Sequence, residues 1–463
     1  MDRRQFLLAS LGSAGLLGAS GLLERNSAYA DILNAATATV YTRRNVYCMN
    51  DKSPEIAAYK AAITAMRALP ASNGVSWMAQ ANIHGATGAA PPGMIANACQ
   101  HNPQFFMSWH RMYVHFFERI VRKQSGDPNF ALPYWGYSPT GSRDLPAMFR
   151  TGGAANPLFD STRNASINAG TPITASLVDA GLALGKPDFT GFTNSVNGTP
   201  HGVVHGAVGG NMGSFGTAGR DPIFWLHHCN IDRLWELWLA AGGTHVNPTD
   251  TAWLSTPFNF YDETGATVTL TGAQVVDIAC QLHYQYESDR CGRIFVFDPR
   301  WRERYTRIPQ LPPGLLARLD SLVRRPPLPQ PMPIAQAQAP VRLGGRPIQV
   351  AVPISAEGKR GLSNLGRDAR SGGRINLVLE DVRVEGRPRV AYEVYVNLGA
   401  EARDTVYTGP NFVGHVSLFG PGPNDAHKPE PQFIDLTEAY VRLRSANAWP
   451  DDTVRVTFVP RGL

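Results

Sequence analysis

Cysteine is scarce in this chain: its 463 residues include five, with no Cys-x-x-Cys pair among them. That excludes a disulfide-stapled scaffold, a zinc ribbon and a thioredoxin-type redox site. Excess charge of one sign is scarce too. The formal net charge of +6 comes from 43 Lys and Arg against 37 Asp and Glu, with no run of five basic residues. A nucleic-acid partner is therefore not expected. Charged residues reach only 17% against 43% hydrophobic, too apolar a balance for a disordered chain. Beyond residue 30 no apolar run reaches the roughly 18 residues a membrane helix needs, so stable membrane insertion is not expected. What is plentiful is aromatic and histidine. The 9 Trp, 15 Tyr and 20 Phe favour a large core, and several of the 12 histidines fall in tight groups.

Residues 1–30 read as a removable export leader. Arg3-Arg4 stands before an apolar stretch from Phe6 to about Leu23, the twin-arginine (Tat) pattern, and Ala28-Tyr29-Ala30 supplies a small-x-small cleavage site. A membrane anchor is the alternative, but Gly and Ser make the stretch only weakly apolar. Export by the Tat machinery, to the periplasm or beyond, is the expectation. Tat substrates cross the membrane folded, often with cofactor loaded, which would suit a metalloenzyme.

Four segments share one helix-start pattern, a capping side chain followed by proline: Ser53-Pro54, Asn102-Pro103, Thr199-Pro200 and Asp221-Pro222. They predict helices to about Ala68, Gln124, Val208 and Ala241, packed as a four-helix bundle. Prolines then crowd a linker over 307–346. From 347 to 463 the pattern alternates, as in Val390-Ala391-Tyr392-Glu393-Val394-Tyr395-Val396, predicting a separate all-β domain. The expected organisation is a leader (1–30), a mainly α catalytic domain (31–306), a linker and a β domain.

His201 and His205, four apart, project from one helix face. His110 shares its face with Phe106, Tyr113 and Phe117, and His228 with Phe224 and Trp235. Singly, a histidine on an aromatic face is more often a hydrogen-bonded core residue than a ligand. Together, His84/His101/His110 and His201/His205/His228 form two trios able to converge from antiparallel helices. Imidazole-only sites suit copper, zinc, iron or nickel, with copper bound tightest among the divalent ions. A zinc hydrolase is the competing chemistry, but there is no His-Glu-x-x-His and no carboxylate at ligand spacing.

At this point the residues resemble a known family, the coupled dinuclear (type 3) copper proteins: tyrosinases, catechol oxidases and haemocyanins. His101-Asn102-Pro103-Gln104-Phe105-Phe106-Met107-Ser108-Trp109-His110-Arg111, with Glu118, fits the first-copper signature. Asp221-Pro222-Ile223-Phe224-Trp225-Leu226-His227-His228-Cys229-Asn230-Ile231-Asp232 fits the second. The plant-type polyphenol oxidases are the nearest pattern, through Gln80-Ala81-Asn82-Ile83-His84, Tyr284-Gln285-Tyr286 and the β domain, which resembles their C-terminal lid. The resemblance implies two copper ions that bind O2 and oxidise o-diphenols to o-quinones, in a chain latent until the lid is displaced. The alternative within the family is a haemocyanin-like O2 carrier. Phenolic substrate and O2 are the implied partners, and the copper-delivery partner is unspecified.

Further roles follow by position. The resemblance implies that His228 is the ligand of its doublet and His227 structural, while His115 matches no ligand position. Phe215 matches a bulky residue above the second copper that gates substrate. Cys99 matches the Cys-x-His arrangement that fungal members cross-link as a thioether to the histidine, here His101. Asp232 is expected to orient ligand histidines through hydrogen bonds, or else to form a salt bridge with Arg233 or a neighbour. A Cys280–Cys291 disulfide is conceivable in an exported protein. Members that hydroxylate monophenols place Asn after the first ligand of the second copper and Glu a few residues before it; here Gly202 and Asn197 stand there, and neither can act as a base. The Asn411-Phe412-Val413-Gly414 loop is the candidate plug of the lid.

Overall fold

The computed structural model describes residues 39–288, 333–367, 374–380, 382, 390–399, 407–420 and 431–462. The leader and most of the expected linker lie outside these residues. Short strand β1 (Tyr41–Arg43) leads into α1 (Pro54–Arg67), α2 (Trp77–His84) and α3 (Phe106–Ser125). After a stretch broken only by one-turn helices come α4 (Phe189–Val196), a π-helical segment over Asn197–Gly202, α5 (Val203–Val208) and α6 (Pro222–Ala240). Strands β2 (Pro257–Tyr261) and β3 (Thr267–Thr271) form a hairpin, and β4 (Tyr284–Tyr286) returns parallel to β1.

Two of the four expected helix starts hold closely. Pro54 and Pro222 open α1 and α6 at their first positions, and the Asp221 carboxylate accepts from Ile223 N at 3.0 Å. Arg163 pairs with that buried carboxylate through Nε at 2.8 Å and Nη2 at 2.6 Å, so the cap is itself anchored. The Asn102 start is displaced: its Oδ1 accepts from Phe105 N at 3.0 Å, closing a local turn, and α3 begins at Phe106. His101 is thereby left on a loop while His110 rides the first turns of the helix. At Thr199 the backbone is extended (φ −134°, ψ 122°), as a cap requires, but its hydroxyl meets His415 Nδ1 at 2.9 Å. Helix α4, capped by Asp188 through Gly191 N, was not anticipated.

The second region contains β5 (Ile348–Pro353), α7 (Ala356–Arg367), β6 (Asn376–Leu379), β7 (Val390–Val396), β8 (Phe412–Val416), β9 (Gln432–Asp435), α8 (Thr437–Ser445) and β10 (Thr453–Gly462). Antiparallel pairing gives a sheet ordered β5-β10-β7-β8 and a separate β6-β9 pair. The domain is β-rich rather than all-β. Two helices were hidden because their apolar positions, such as Ala439, Tyr440 and Leu443 of α8, are few and spaced among arginines. It has its own core, built on Val394, Val396, Val456, Phe458 and Trp449, yet Phe419 and Ala391 belong to the core of the helical region. No helix among the described residues is long and apolar enough to cross a membrane.

Candidate metal centre

Six histidine side chains converge between α2, α3, α5 and α6. His84 ends α2, His101 precedes α3, His110 lies in α3, His201 in the π-helical segment, His205 in α5 and His228 in α6. Within the first trio, ring centroids stand 5.3 Å (His84–His101), 5.4 Å (His101–His110) and 5.8 Å (His84–His110) apart. Within the second they stand 4.7 Å (His201–His205), 5.0 Å (His201–His228) and 5.5 Å (His205–His228) apart. The trios face each other closely: His110 and His228 stack at 4.5 Å and 7°. Donor atoms group as His84/His110/His228, His84/Cys99/His101 and His201/His205/His227/His228, each within 4.8 Å, so the two trios share one cavity.

The backbone sets the tautomers. His84 Nδ1 lies 3.0 Å from Phe215 O, His110 Nδ1 2.8 Å from Phe106 O, His201 Nδ1 3.1 Å from Asn197 O and His205 Nδ1 2.8 Å from Met212 O. A carbonyl only accepts, so each Nδ1 carries the proton and each Nε2 presents a lone pair. The Nε2 atoms of His110 and His201 are buried with no hydrogen-bond partner, and those of His205 and His228 lie 3.3 Å apart. Unpartnered lone pairs converging in a closed cavity are what a metal would satisfy. Burial, reinforced by neighbouring imidazoles, holds His110, His201, His205 and His228 well below the usual histidine range, in the neutral form that ligates. Among the described residues no carboxylate joins these groups, and a donor set of imidazoles with the one thiol of Cys99 beside them fits copper. Gly85 is part of the construction: a Cβ there would stand 2.3 Å from the Phe215 carbonyl that orients His84.

Cys99 Sγ lies 3.5 Å from His101 Nδ1. Asn197 braces both trios, its Nδ2 donating to His101 O at 2.8 Å while its own carbonyl accepts from His201. Gly202 is buried directly against the β-rich domain. His227 meets the Tyr137 hydroxyl at 2.9 Å through Nδ1, a structural partner, and burial pushes it down to about 3. His115 packs edge-on to Phe116, away from the donor groups.

Four expectations are corrected. Asp232 contacts no histidine. Its carboxylate accepts from Arg111 Nε at 2.5 Å and from the hydroxyls of Tyr284 and Tyr286 at 2.5 and 2.6 Å, with Arg43 Nη1 at 3.4 Å; Arg233 is not its partner. The reason is axial position: Asp232 shares the face of His228 but lies one turn further along α6, where its side chain meets Arg111 of α3. Burial pushes this carboxyl up, but the two guanidinium groups and the tyrosine hydroxyls outweigh it and hold it below the usual range. Arg111 Nη2 also donates to Glu236 at 2.5 Å, and burial nevertheless raises that carboxyl to about 7. The network ties α3 to α6 and so acts on the ligands through their helices.

Phe215 is at the cavity, but its ring lies parallel on His101 of the first trio, at 4.3 Å and 2°, rather than over the second. The Asn411–Gly414 segment is no loop but the start of β8, and it stays outside: Phe412 packs on Tyr395 and His415 at 5.5 and 5.2 Å. The ring that enters from the β-rich domain is Phe419, stacked on His205 at 3.9 Å and 9° and edge-on to Phe215 at 4.5 Å. The signal for it was a lone aromatic before Gly420-Pro421-Gly422, which reads as an ordinary turn. The disulfide also differs from expectation: Cys48 is bonded, with its partner outside the described residues, and Cys280 forms no disulfide.

Comparison with known proteins agrees with this geometry. Residues 75–180 and 153–241 match the common central domain of tyrosinase, 247–294 the polyphenol oxidase middle domain, and 331–462 a domain of unknown function, DUF7868. The chain is 29% identical to a tyrosinase of Hahella sp. (strain CCB-MM4), over 91% of this chain and 95% of that protein. It is 34% identical to the latent polyphenol oxidase of Prunus armeniaca over a shorter stretch, 50% of this chain and 46% of that one. Among solved structures, a latent aurone synthase (polyphenol oxidase) superposes with a TM-score of 0.60 at 26% identity, covering 91% of this chain and 86% of that one. A latent apple tyrosinase gives 0.58 at 26% identity, covering 91% and 94%. Fold, imidazole set and relatives define a copper oxidoreductase with a dinuclear centre. Within that class the chain is a copper protein of the tyrosinase and polyphenol oxidase type.

Proposed function

We propose that this protein oxidises o-diphenols to o-quinones with O2, holding one copper ion on His84, His101 and His110 and the other on His201, His205 and His228. The observation that carries the reading is the convergence of buried Nε2 atoms whose opposite nitrogens are tied to backbone carbonyls. When bound, the copper pair supplies the binding and reduction of O2. The chain supplies everything else. Carbonyl-anchored rings cannot swing, which keeps the donor geometry constant through a redox cycle. Phe106, Phe215 and Phe224 wall the cavity and exclude water. The parallel Phe215 and His101 rings leave an aromatic surface at its mouth, so Phe215 serves as the gate. The supporting frame is read as the expected four-helix bundle of α1, α3, α5 and α6, with α2 bringing in His84.

Asn197 and Gly202 favour diphenols. The Asn197 amide is spent on His101 O and Gly202 has no side chain, so neither takes a phenol proton. A catechol, which loses its first proton more readily, needs that help less than a monophenol. The β-rich domain acts as a lid, with Phe419 covering the His205 face that a substrate ring would use. The chain is accordingly latent until the linker is cut or the lid loosened. Cys99 stands ready to become a thioether to His101, and residues 1–30 direct export.

The test is O2 uptake with a catechol and its matching monophenol, before and after limited proteolysis. Cutting is expected to release catechol turnover well above monophenol turnover. Reversible O2 binding without catechol turnover after cutting would identify a haemocyanin-like carrier instead.

A further inference from the structure

We propose that glycine at 202 is what allows the lid to close, so that the residue beside His201 sets the closure of the β-rich domain. The inference rests on the latent-lid reading above and concerns a contact that reading does not require. A Cβ placed on Gly202 would stand 2.2 Å from Ser417 Oγ, 2.8 Å from Ser417 Cβ and 3.2 Å from Asn197 O. Turning the serine hydroxyl away would relieve the first contact and leave the second.

Neither side can yield cheaply. Ser417 N donates to Gln432 Oε1 at 3.0 Å, and Ser417 O accepts from Gln432 Nε2 at 2.5 Å, so both backbone polar groups are clamped to β9. Ser417 Oγ accepts from Phe419 N at 3.2 Å, a bond that fixes the chain direction of the ring lying on His205. On the other side, Gly202 belongs to the segment whose Asn197 carbonyl orients His201. An added methyl group must therefore push Ser417 outward, carrying Phe419 off His205 and pulling Gly420 O from Phe215 N, now 3.2 Å apart. Overpacking a fixed contact is resolved by separating the two surfaces when one of them belongs to a detachable domain.

The experiment uses the full chain, wild type and the variants G202A, S417G, G202A/S417G and F419A. Two quantities are read: the ratio of catechol turnover after linker cleavage to that before, and hydrogen exchange of the Phe215 amide, which does not depend on turnover. The ratio cancels any effect of residue 202 on the copper site itself. G202A is expected to lower the ratio about tenfold and to speed the exchange correspondingly. In the S417G background, where the obstructing Cβ and Oγ are gone, the same change should alter both by less than about twofold, a non-additivity that only a direct contact produces. Equal effects of G202A in both backgrounds, or none in either while F419A and cleavage still activate, would overturn this inference alone. If cleavage and F419A also leave turnover and exchange unchanged, it is the latent-lid reading that fails.

Discussion

The helical region and the β-rich domain build opposite sides of one cavity by different means. In the helical region His84, His110, His201 and His205 are fixed twice, by their element and by a backbone carbonyl on Nδ1, and the helices are locked by buried charge through Arg43, Arg111, Asp232 and Glu236. The β-rich domain enters with one ring, Phe419, and is held mostly at its edge. Its ties there include Lys186 with Asp435 at 3.5 Å and Glu438 at 3.6 Å, Arg374 with Asp188, Thr199 with His415, Thr174 with Gly462 O at 3.3 Å and the Phe215–Gly420 bond. One side is over-determined, and the other, on the latent-lid reading proposed above, is reversible. A site that must hold two cations in register needs rigidity, whereas a cover that must come off needs contacts few enough to break together.

The comparison breaks most severely if a ligand is removed from the rigid side. H228A should abolish catechol turnover in cut chains and lower copper content from two ions to about one per chain, by elemental analysis. Retention of both ions would show that the six imidazoles are not the donor set. D232N should leave Arg111 and Arg43 partly uncompensated and destabilise the helical region by about 3 kcal/mol, read as a lowered unfolding midpoint. The contribution of this carboxylate has a sign: its pKa is held below the ordinary value, so its stabilisation is present above that range and is lost as pH falls beneath it. The variant should therefore lose its excess instability in strong acid.

On the reversible side the expected effects are smaller and appear as gains. F419A removes the stacked ring and should raise turnover of the uncut chain about thirtyfold, equivalent to about 2 kcal/mol of lost docking. The smallest effect sharpens the comparison through pH. Burial lowers His415 from the usual 6.5 to about 4, against the pull of Glu393 and with Arg461 acting in the same downward direction. A group with a depressed folded-state pKa stabilises the docked domain fully above 6.5 and loses that contribution as pH falls towards 4. Phe215 amide exchange, corrected for its intrinsic pH dependence, should accelerate across that window, and H415Q should flatten the change. Acceleration of the α3 and α6 core amides over the same window would place the weakness in the helical region instead.

Legibility followed the same division. All six predicted imidazoles converge because their residue type and spacing are demanded by chemistry: His201 and His205 by a shared helix face, His110 and His228 by facing helices. Asp232 was recognisable as buried and charged, but its partners come from β1, α3 and β4, at sequence separations that no local pattern records. Phe215 was found and assigned to the wrong trio, because a loop residue carries no periodicity that says which ring it will meet. Phe419 was missed and Phe412 chosen in its place, since an aromatic at a strand end looks the same whether it fills its own domain or another's.

Composition and motif alone determined the copper chemistry, the division into a helical and a β-rich region, and the absence of a base at 197 and 202, because each depends on which side chains exist and on spacing within one element. Only the tertiary structure decided which ring covers which imidazole, where the charge network attaches, and that Ser417 stands where a side chain at 202 would go. Those contacts join residues far apart in the chain, and the distances that make them matter are set by how two separately cored regions dock.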